Sequence, residues 1–363
     1  MSSVPLEALA QTLLAELPRS PDVYAQKIDL GAWAALLIRF DAAGYRAASF
    51  LDDRILTPSM PAAWLPLDRV AEVAQRTLRP RPLHFIFHTG HVGSTLLSRL
   101  LDETGVGLAL REPLPMRTLA DAHDQLGEGY SLLSRAQFER ALATSLQLWA
   151  RGYDATRGVF VKATSSAGRL AARILATSET SRAIYMNVDV EPYLATLLAG
   201  RNSPIDLRGH GPERWRRLQA RLSGALPALS DLSLGELAAM SWLSESWTQF
   251  EVVGTFGERV MAIDFDRYLA DVGGSMGRVL HHFRVSAEPA YLAKIAGSPT
   301  LGRYSKAPEY SYTPAVRAEI LRHSRRENRD EIRKGMHWLE HLSRSDPSIA
   351  TVVRSVGAAA NPQ

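Results

Sequence analysis

Two glycines, the second followed directly by two hydroxyl residues, lie in residues 84–102, which read HFIFHTGHVGSTLLSRLLD. The apolar run at residues 85–87 precedes Gly90 and Gly93, and Ser94 and Thr95 precede leucines at helical spacing. This order predicts a buried strand, a glycine-containing turn and a helix whose first turn carries two hydroxyls. Converging backbone N–H groups and the positive end of a helix can hold a phosphate or a sulfate there. A tight turn without a ligand is the alternative.

The turn differs from a nucleoside-triphosphate P-loop at one position. That loop reads GxxxxGK[ST], and its lysine reaches the outer phosphates. Here the residue after Gly93 is Ser94. A nucleoside-triphosphate kinase is therefore the least favoured of the three functions considered for this chain.

The stretch resembles the 5′-phosphosulfate loop of sulfotransferases that use PAPS, 3′-phosphoadenosine 5′-phosphosulfate. In bacterial members this loop runs roughly as P-[KR]-S-G-T-T before an apolar helix. When residues 90–95 are aligned with this pattern, His91 takes the place of the family's cation. The resemblance implies a catalytic as well as a binding role for His91. The residues that the resemblance assigns to PAPS in this loop are Gly90, His91, Val92, Gly93, Ser94 and Thr95.

Further cofactor positions follow from the same resemblance. In the family, the strand that here reads RAIYMN is followed by an arginine, with a serine eight positions later, and both hold the 3′-phosphate. Val188 and Thr196 occupy these positions, so the hydroxyl is kept and the cation is not. A late basic loop closes over the 3′-phosphate in the family, and residues 297–314 are similar in place and composition, with Arg303 and Lys306 as the expected contacts. An ordinary exposed loop is the alternative.

Sulfuryl transfer needs a base to take a proton from the acceptor. Several branches of the family use a glutamate on the element after the loop helix, and Glu112 stands there. A salt bridge between Glu112 and Arg111 or Arg117 is the alternative. Lys162, at the end of another predicted strand, is the candidate for neutralising the negative charge that develops on the leaving group.

The fold that positions these residues is predicted from strands that alternate with helices. This alternation predicts an α/β fold, a doubly wound parallel sheet flanked by helices, in which ligands gather beyond the carboxyl ends of the strands. The resemblance covers roughly residues 83–310. We predict an N-terminal helical extension at 1–80, in which Trp33, Leu36, Leu37 and Phe40 share a helix face, a sulfotransferase-like P-loop domain at 81–345, with one helix from 313 to about 342, and a flexible tail at 346–363.

Composition excludes several classes of site and partner. The chain has 363 residues, 46% of them hydrophobic, and contains no cysteine, so thiol chemistry and thiolate metal sites are excluded. No histidine pair has H-E-x-x-H spacing, and we expect no metal. We expect a cytoplasmic protein because no apolar run reaches the length of a membrane helix and no signal-peptide pattern opens the chain. With a net charge of +4, two basic groups are predicted to decorate solvated helix faces and no nucleic-acid partner is expected. The first group comprises Arg214, Arg216, Arg217 and Arg221, and the second comprises Arg322, Arg325, Arg326, Arg329, Arg333 and Lys334.

Two functions remain open at this point. The first is a PAPS-dependent sulfotransferase acting on a hydroxyl or amine of a small-molecule or carbohydrate acceptor. The second is a catalytically degenerate binding or partner module of the same fold, which the two missing cations favour. The oligomeric state is open.

Overall fold

The computed structural model describes residues 6–76, 80–286 and 288–359. Its strands are β1 (Val23–Asp29), β2 (Ala34–Arg39), β3 (Ala62–Pro66), β4 (Leu83–His88), β5 (Gly107–Arg111), β6 (Gly158–Lys162), β7 (Ala183–Asn187) and β8 (Val260–Asp264). Its α-helices are α1 (Leu6–Glu16), α2 (Ala42–Ala47), α3 (Leu67–Ala74), α4 (Ser94–Glu103), α5 (Leu114–His123), α6 (Arg135–Trp149), α7 (Ala171–Ala176), α8 (Val190–Ala199), α9 (Ser203–Gln219), α10 (Leu234–Phe256), α11 (Phe265–Ala270), α12 (Val272–His282), α13 (Pro289–Ala296), α14 (Pro314–Glu327), α15 (Arg329–Ser345) and α16 (Pro347–Ala359). Short 3₁₀ helices cover Asp53–Ile55, Ser165–Leu170, Leu229–Asp231, Gly257–Arg259 and Pro299–Gly302.

The first three strands form an antiparallel sheet in the order β1-β2-β3. Residues 35–38 of the central strand β2 are all buried, and Trp33 has a φ of 53° in the turn before it. A strand buried on both faces loses its polar alternation, so its apolar run cannot be distinguished from a helix by spacing. The helix predicted at Trp33–Phe40 is therefore wrong, because these residues lead into and form β2, whereas residues 6–16, 42–47 and 67–74 of the predicted helical extension are helical. The domain boundaries at 80 and 345 stay predictions.

The strands β4 to β8 form a parallel sheet flanked by helices, in the order β5-β6-β4-β7-β8. The chain moves to one side of β4 with β5 and β6, and to the other side with β7 and β8. All residues of β6 and β7 are buried, as are residues 84–88 of β4, which is typical of parallel strands covered on both faces. The predicted doubly wound α/β fold is confirmed.

The chain forms two compact units. Unit 1 comprises residues 1–86, 95–183 and 277–298, and unit 2 comprises residues 87–94, 184–276 and 299–363. Within unit 1, α5 packs against β1 and α3 packs against α6. Within unit 2, α10 packs against α8, α9, α15 and α16.

Helix α10 is the central helix of unit 2. It begins at a capping box formed by Ser233 and Glu236, in which each side chain accepts a backbone N–H of the other residue. Most of its residues from 235 to 249 are buried, including Trp242 and Trp247. Core packing therefore explains these two tryptophans.

The basic group on α9 differs from the prediction of a solvated face. Arg214 is 4% exposed, and its Nε lies 3.1 Å from Glu245 Oε1 on α10. Arg217 Nη2 lies 2.7 Å from the same oxygen, and Glu245 itself is fully buried. Arg214 and Arg217 thus form a buried ion network between two helices, which charge spacing alone did not reveal.

The C-terminal region also differs from the sequence prediction. The single helix expected from 313 to about 342 is divided at Asn328, which ends α14 and precedes α15. The expected flexible tail contains helix α16, whose Ile349, Val352 and Val356 are buried. Residues 360–363 of that tail lie outside the described residues.

Candidate active site

The turn between β4 and α4 has an unusual backbone. Gly90, His91 and Gly93 have φ angles of 106°, 56° and 72°, all in the left-handed region. Glycine enters this region at little cost, whereas histidine does so only where its surroundings hold it. A short turn that contains left-handed residues can direct successive N–H groups toward one anion.

A buried polar network holds the base of this turn within unit 2. The hydroxyl of Thr89 lies 3.0 Å from Asn187 Oδ1, at the end of β7. The amide of Asn187 donates to Ser246 Oγ at 3.0 Å and to Gln249 Oε1 at 2.7 Å, both on α10. Because Asn187 is anchored to a long buried helix, the start of the turn is fixed.

The remaining predicted loop residues have different surroundings. Val92 is fully buried and anchors the turn through its apolar side chain, whereas His91 is exposed. Ser94 and Thr95 are the first two residues of α4, and both are buried. Thr95 as a whole is 3% exposed, and its hydroxyl has no hydrogen-bond partner among the described residues. An unpartnered hydroxyl at a helix N-terminus is a suitable contact for an anion.

Gly93 is required by packing as well as by its backbone angle. A Cβ at this position would overlap the ring of Phe265, the first residue of α11. The guanidinium of Arg317, on α14, lies 4.8 Å from the centroid of the same ring and forms a 2.7 Å ion pair with Asp266. The Phe265 ring thus contacts both Gly93 of the turn and the positively charged Arg317. Sequence reasoning missed it because no motif marks it, although Arg317 does follow the predicted basic loop.

Glu112 and Lys162 form an ion pair within unit 1. The Lys162 side chain is fully buried, and the Glu112 N–H donates to the Lys162 carbonyl at 2.7 Å. Glu112 also has a φ of 53°. Its ion-pair partner is therefore Lys162, and within the described residues neither of the predicted alternative partners, Arg111 and Arg117, forms an ion pair with it.

Arg111 has a structural role. Its Nη1 lies 3.5 Å from Asp102 Oδ2, and its guanidinium also donates to backbone carbonyls of α2 and the residue after it. Burial lowers the pKa of Arg111 to about 10, against the opposing effect of Asp102. A cation enclosed in this way is not available to a ligand.

The two positions aligned with the family's 3′-phosphate contacts make hydrogen bonds within the protein. Val188 is buried, and its carbonyl accepts a 2.9 Å hydrogen bond from Trp242 Nε1. The Thr196 hydroxyl donates to the Pro192 carbonyl one turn earlier, at 2.7 Å. Nearby, burial raises the pKa of Asp264, and Asp266 and Asp189 raise it further. Acidic side chains therefore cluster after β7 and β8.

The part of the predicted late basic loop that carries Arg303 and Lys306 forms a compact turn within unit 2. Arg303 is exposed and donates from Nη1 to the Pro308 carbonyl at 3.0 Å, and it pairs through a single β-bridge with Ser311. Lys306 lies in the same turn and is partly exposed. Both cations are accessible to solvent, as a ligand contact requires.

The described residues contain neither a metal-ligand cluster nor a helix that could span a membrane. Across 6–76, 80–286 and 288–359, no group of three or more His, Asp or Glu side chains is arranged to hold a metal ion. Over those same ranges, no helix combines the length and the apolar character that crossing a membrane requires.

Comparison with known proteins gives structural matches alone. No family model matches the chain, and no curated protein matches its sequence. The similar solved structures include the sulfotransferase domain from the curacin biosynthetic pathway, with 15% identity and a TM-score of 0.39 over 65% of this chain and 86% of that chain. They also include sulfotransferase STF9 from Mycobacterium avium, with 11% identity and a TM-score of 0.38 over 88% of this chain and 96% of that one. A third is the sulfotransferase domain from the Synechococcus PCC 7002 olefin synthase, with 15% identity and a TM-score of 0.37 over 68% and 94%. All three are named as sulfotransferases.

Proposed function

We propose that the protein is a PAPS-dependent sulfotransferase that acts on a hydroxyl or amine of a small-molecule or carbohydrate acceptor. The observation that carries this proposal is the turn after β4. It combines left-handed φ angles at Gly90, His91 and Gly93 with the unpartnered, buried hydroxyl of Thr95 at the start of α4. These are groups that an anion can bind without a lysine.

The turn fits the 5′-phosphosulfate end of the cofactor. Its backbone N–H groups and the hydroxyls of Ser94 and Thr95 would hold the oxygens of that end, and His91 would add a donor at the exposed side. When bound, PAPS would supply an activated sulfuryl group: the acceptor oxygen or nitrogen forms a bond to sulfur as the bond from sulfur to the 5′-phosphate oxygen breaks, and adenosine 3′,5′-bisphosphate leaves.

The 3′-phosphate end fits less well at the aligned positions. Val188 offers no polar side chain and the Thr196 hydroxyl is already bonded within α8. The cations that remain for this phosphate are Arg303, Lys306 and Arg317, of which Arg317 would have to share its charge with Asp266.

Glu112 is the proposed base, and its carboxylate would take the proton that the acceptor loses as the new bond to sulfur forms. The contact with Lys162 orients that carboxylate, since a buried ammonium leaves it few other positions. Lys162 therefore acts through Glu112 in this proposal, a narrower role than direct neutralisation of the leaving group.

A catalytically degenerate module of the same fold is the second candidate. The internal hydrogen bond of Thr196 and the apolar Val188 favour it, because both weaken the hold on the 3′-phosphate. Such a protein would bind a nucleotide or another anion at the turn and transfer nothing.

Calorimetry with adenosine 3′,5′-bisphosphate and with ATP plus magnesium tests the proposal. We expect the bisphosphate to bind more tightly than ATP. Replacing Thr95 by valine, which keeps the shape and removes the hydroxyl, should weaken bisphosphate binding about tenfold, the value of one good hydrogen bond to a charged group. The same change should leave the free energy of unfolding within about 1 kcal/mol, because the hydroxyl has no partner among the described residues.

Thr95→Ser is the matched control and should keep both affinity and stability. Tighter binding of ATP plus magnesium would instead indicate a kinase. Equal bisphosphate affinity in wild type and Thr95→Val would show that the start of α4 does not contact the nucleotide.

A further inference from the structure

The N-terminal segment at residues 50–54 lies beside the corner that holds Glu112. The Leu51 N–H donates to the Arg111 carbonyl at 2.7 Å, and the Leu51 carbonyl accepts from the Leu114 N–H at 3.2 Å. These two bonds bracket Glu112 along the chain. All of these residues belong to unit 1.

Within this segment, Arg54 is held in one orientation. Its Nε and Nη2 donate to the two carboxylate oxygens of Asp52, at 2.8 and 2.5 Å. Its guanidinium carbon lies 3.8 Å from the centroid of the Phe50 ring. A bidentate ion pair and an aromatic face together fix a guanidinium plane, which reduces the entropy lost when it binds a ligand.

The fixed guanidinium is presented to solvent. The Arg54 side chain is 62% exposed, whereas that of Asp52 is 18% exposed. Asp52 occupies two of the five N–H groups of Arg54, and the other three have no hydrogen-bond partner among the described residues. The pKa of Arg54 is raised, first by Asp52 and further by Glu112, so the charges of Arg54 and Glu112 are close enough to interact.

We propose that Arg54 binds a carboxylate of the acceptor, so that the substrates are hydroxyl or amine compounds that carry a negative charge near the reacting group. The inference rests on the proposed function, because it takes Glu112 as the place where the acceptor reacts. Phe50 and Asp52 are positioning residues for Arg54. The reacting group would lie on the Glu112 side of the acceptor and the carboxylate on the Arg54 side.

Matched pairs of compounds test this inference. We would titrate glucuronate against glucuronamide, and 4-hydroxybenzoate against 4-hydroxybenzamide, by ligand-observed NMR at about 0.15 M salt, where weak surface pairing is largely screened. Wild type should bind one of the carboxylates about fivefold to tenfold more tightly than its amide, the discounted value of a charge-assisted bond at a half-exposed site.

Arg54→Met keeps the apolar stem and should abolish the preference for the carboxylate. Arg69→Met is the matched control, since Arg69 is an exposed cation of the same unit whose side chain is 67% exposed, and it should keep the preference. Equal binding of acid and amide by wild type, binding of neither compound, or a preference that survives in Arg54→Met would each overturn the inference.

The bisphosphate titration is run on the same samples, so that the two ideas fail separately. Bisphosphate binding without a carboxylate preference rejects the role of Arg54 and leaves the proposed function in place. A carboxylate preference that depends on Arg54, in a protein that binds no bisphosphate, rejects PAPS and leaves Arg54 as the anion contact.

Discussion

Two of the residues proposed for the site, His91 and Glu112, have backbone angles that side chains rarely adopt. In the described part of the chain, the other non-glycine residues with positive φ are Trp33 and Arg284. Such an angle costs roughly 1 kcal/mol or more and persists where the surroundings impose it. For Glu112 the surroundings are visible, since its N–H and its carboxylate both contact Lys162. The strain therefore coincides with the residue that the sequence indicated as the base.

Replacing Glu112 by glutamine should lower turnover by roughly a hundredfold to ten-thousandfold, because the amide cannot accept the acceptor's proton. Bisphosphate affinity should change little. The free energy of unfolding should fall by up to about 3 kcal/mol, since buried Lys162 loses its counter-charge. Turnover is measured with radiolabelled PAPS and an acceptor found by screening an extract, and stability by urea unfolding.

Asp102→Asn is the control for the structural part of this effect. It removes the acidic partner of another buried cation of unit 1, Arg111. We expect a loss of stability with turnover per folded molecule retained. If Asp102→Asn and Glu112→Gln reduced turnover equally, Glu112 would have a structural role and no catalytic one.

At the scale of elements, helices that are distant in sequence bring charged side chains to the turn after β4 and to the buried Glu245. Helix α14 brings Arg317 to the Phe265 ring that covers Gly93, and α9 brings two arginines to Glu245 on α10. Neither pairing follows from sequence spacing, because the partners are tens of residues apart and periodicity predicts faces, not neighbours. Burial raises the pKa of Glu245, but Arg217 and Arg214 outweigh it, and the net direction is downward.

Glu245→Gln should destabilise the protein by about 3 to 5 kcal/mol, because two buried guanidinium groups would lose their shared counter-charge. Glu251→Gln is a close control on the same helix. Glu251 also pairs with an arginine near the end of α9, Arg221, but its side chain is 45% exposed. We expect that change to cost less than about 1 kcal/mol.

Urea unfolding followed by circular dichroism compares the two variants. Similar losses in both would mean that the Glu245 network is solvated in solution, as the charge pattern of α9 first indicated.

At the scale of the whole molecule, the sequence predicted the parallel sheet better than the regions around it. The strands β4, β6 and β7 are apolar runs between turn signals, and the order of strand, turn and helix after β4 follows from glycine and leucine spacing. The antiparallel sheet was missed because β2 is buried on both faces and its leucines also fit a helix. The segment carrying Arg54 was missed for a related reason, since its position depends on pairing with residues 111–114, about sixty residues later.

One buried histidine should account for a large part of the decrease in the free energy of unfolding at acid pH. His84 lies in β4 and stacks against the rings of Phe160 and Phe283, at centroid distances of 5.8 and 5.0 Å. Burial lowers its pKa to about 4, and the charges of His282 and Arg182 act in the same direction. The unfolded chain therefore binds a proton as the pH falls below about 6.5, while the folded chain stays neutral down to about 4. Stability is lost through this window, by about 3 kcal/mol at most.

Urea unfolding of wild type at pH 7.5 and pH 4.5 measures this loss, and His84→Phe is the diagnostic variant. Phenylalanine keeps the stacking but removes the Nδ1 that accepts the Arg182 N–H at 3.2 Å, so this variant should be less stable at both pH values. The difference between the two pH values should nevertheless shrink by roughly 2 to 3 kcal/mol, because the titrating group is absent. Burial also lowers the pKa of His123, which leaves a smaller residual slope of the same sign. His323→Gln, at an exposed position on α14, should keep the full pH dependence, and an unchanged slope in His84→Phe would show that the loss comes from other groups.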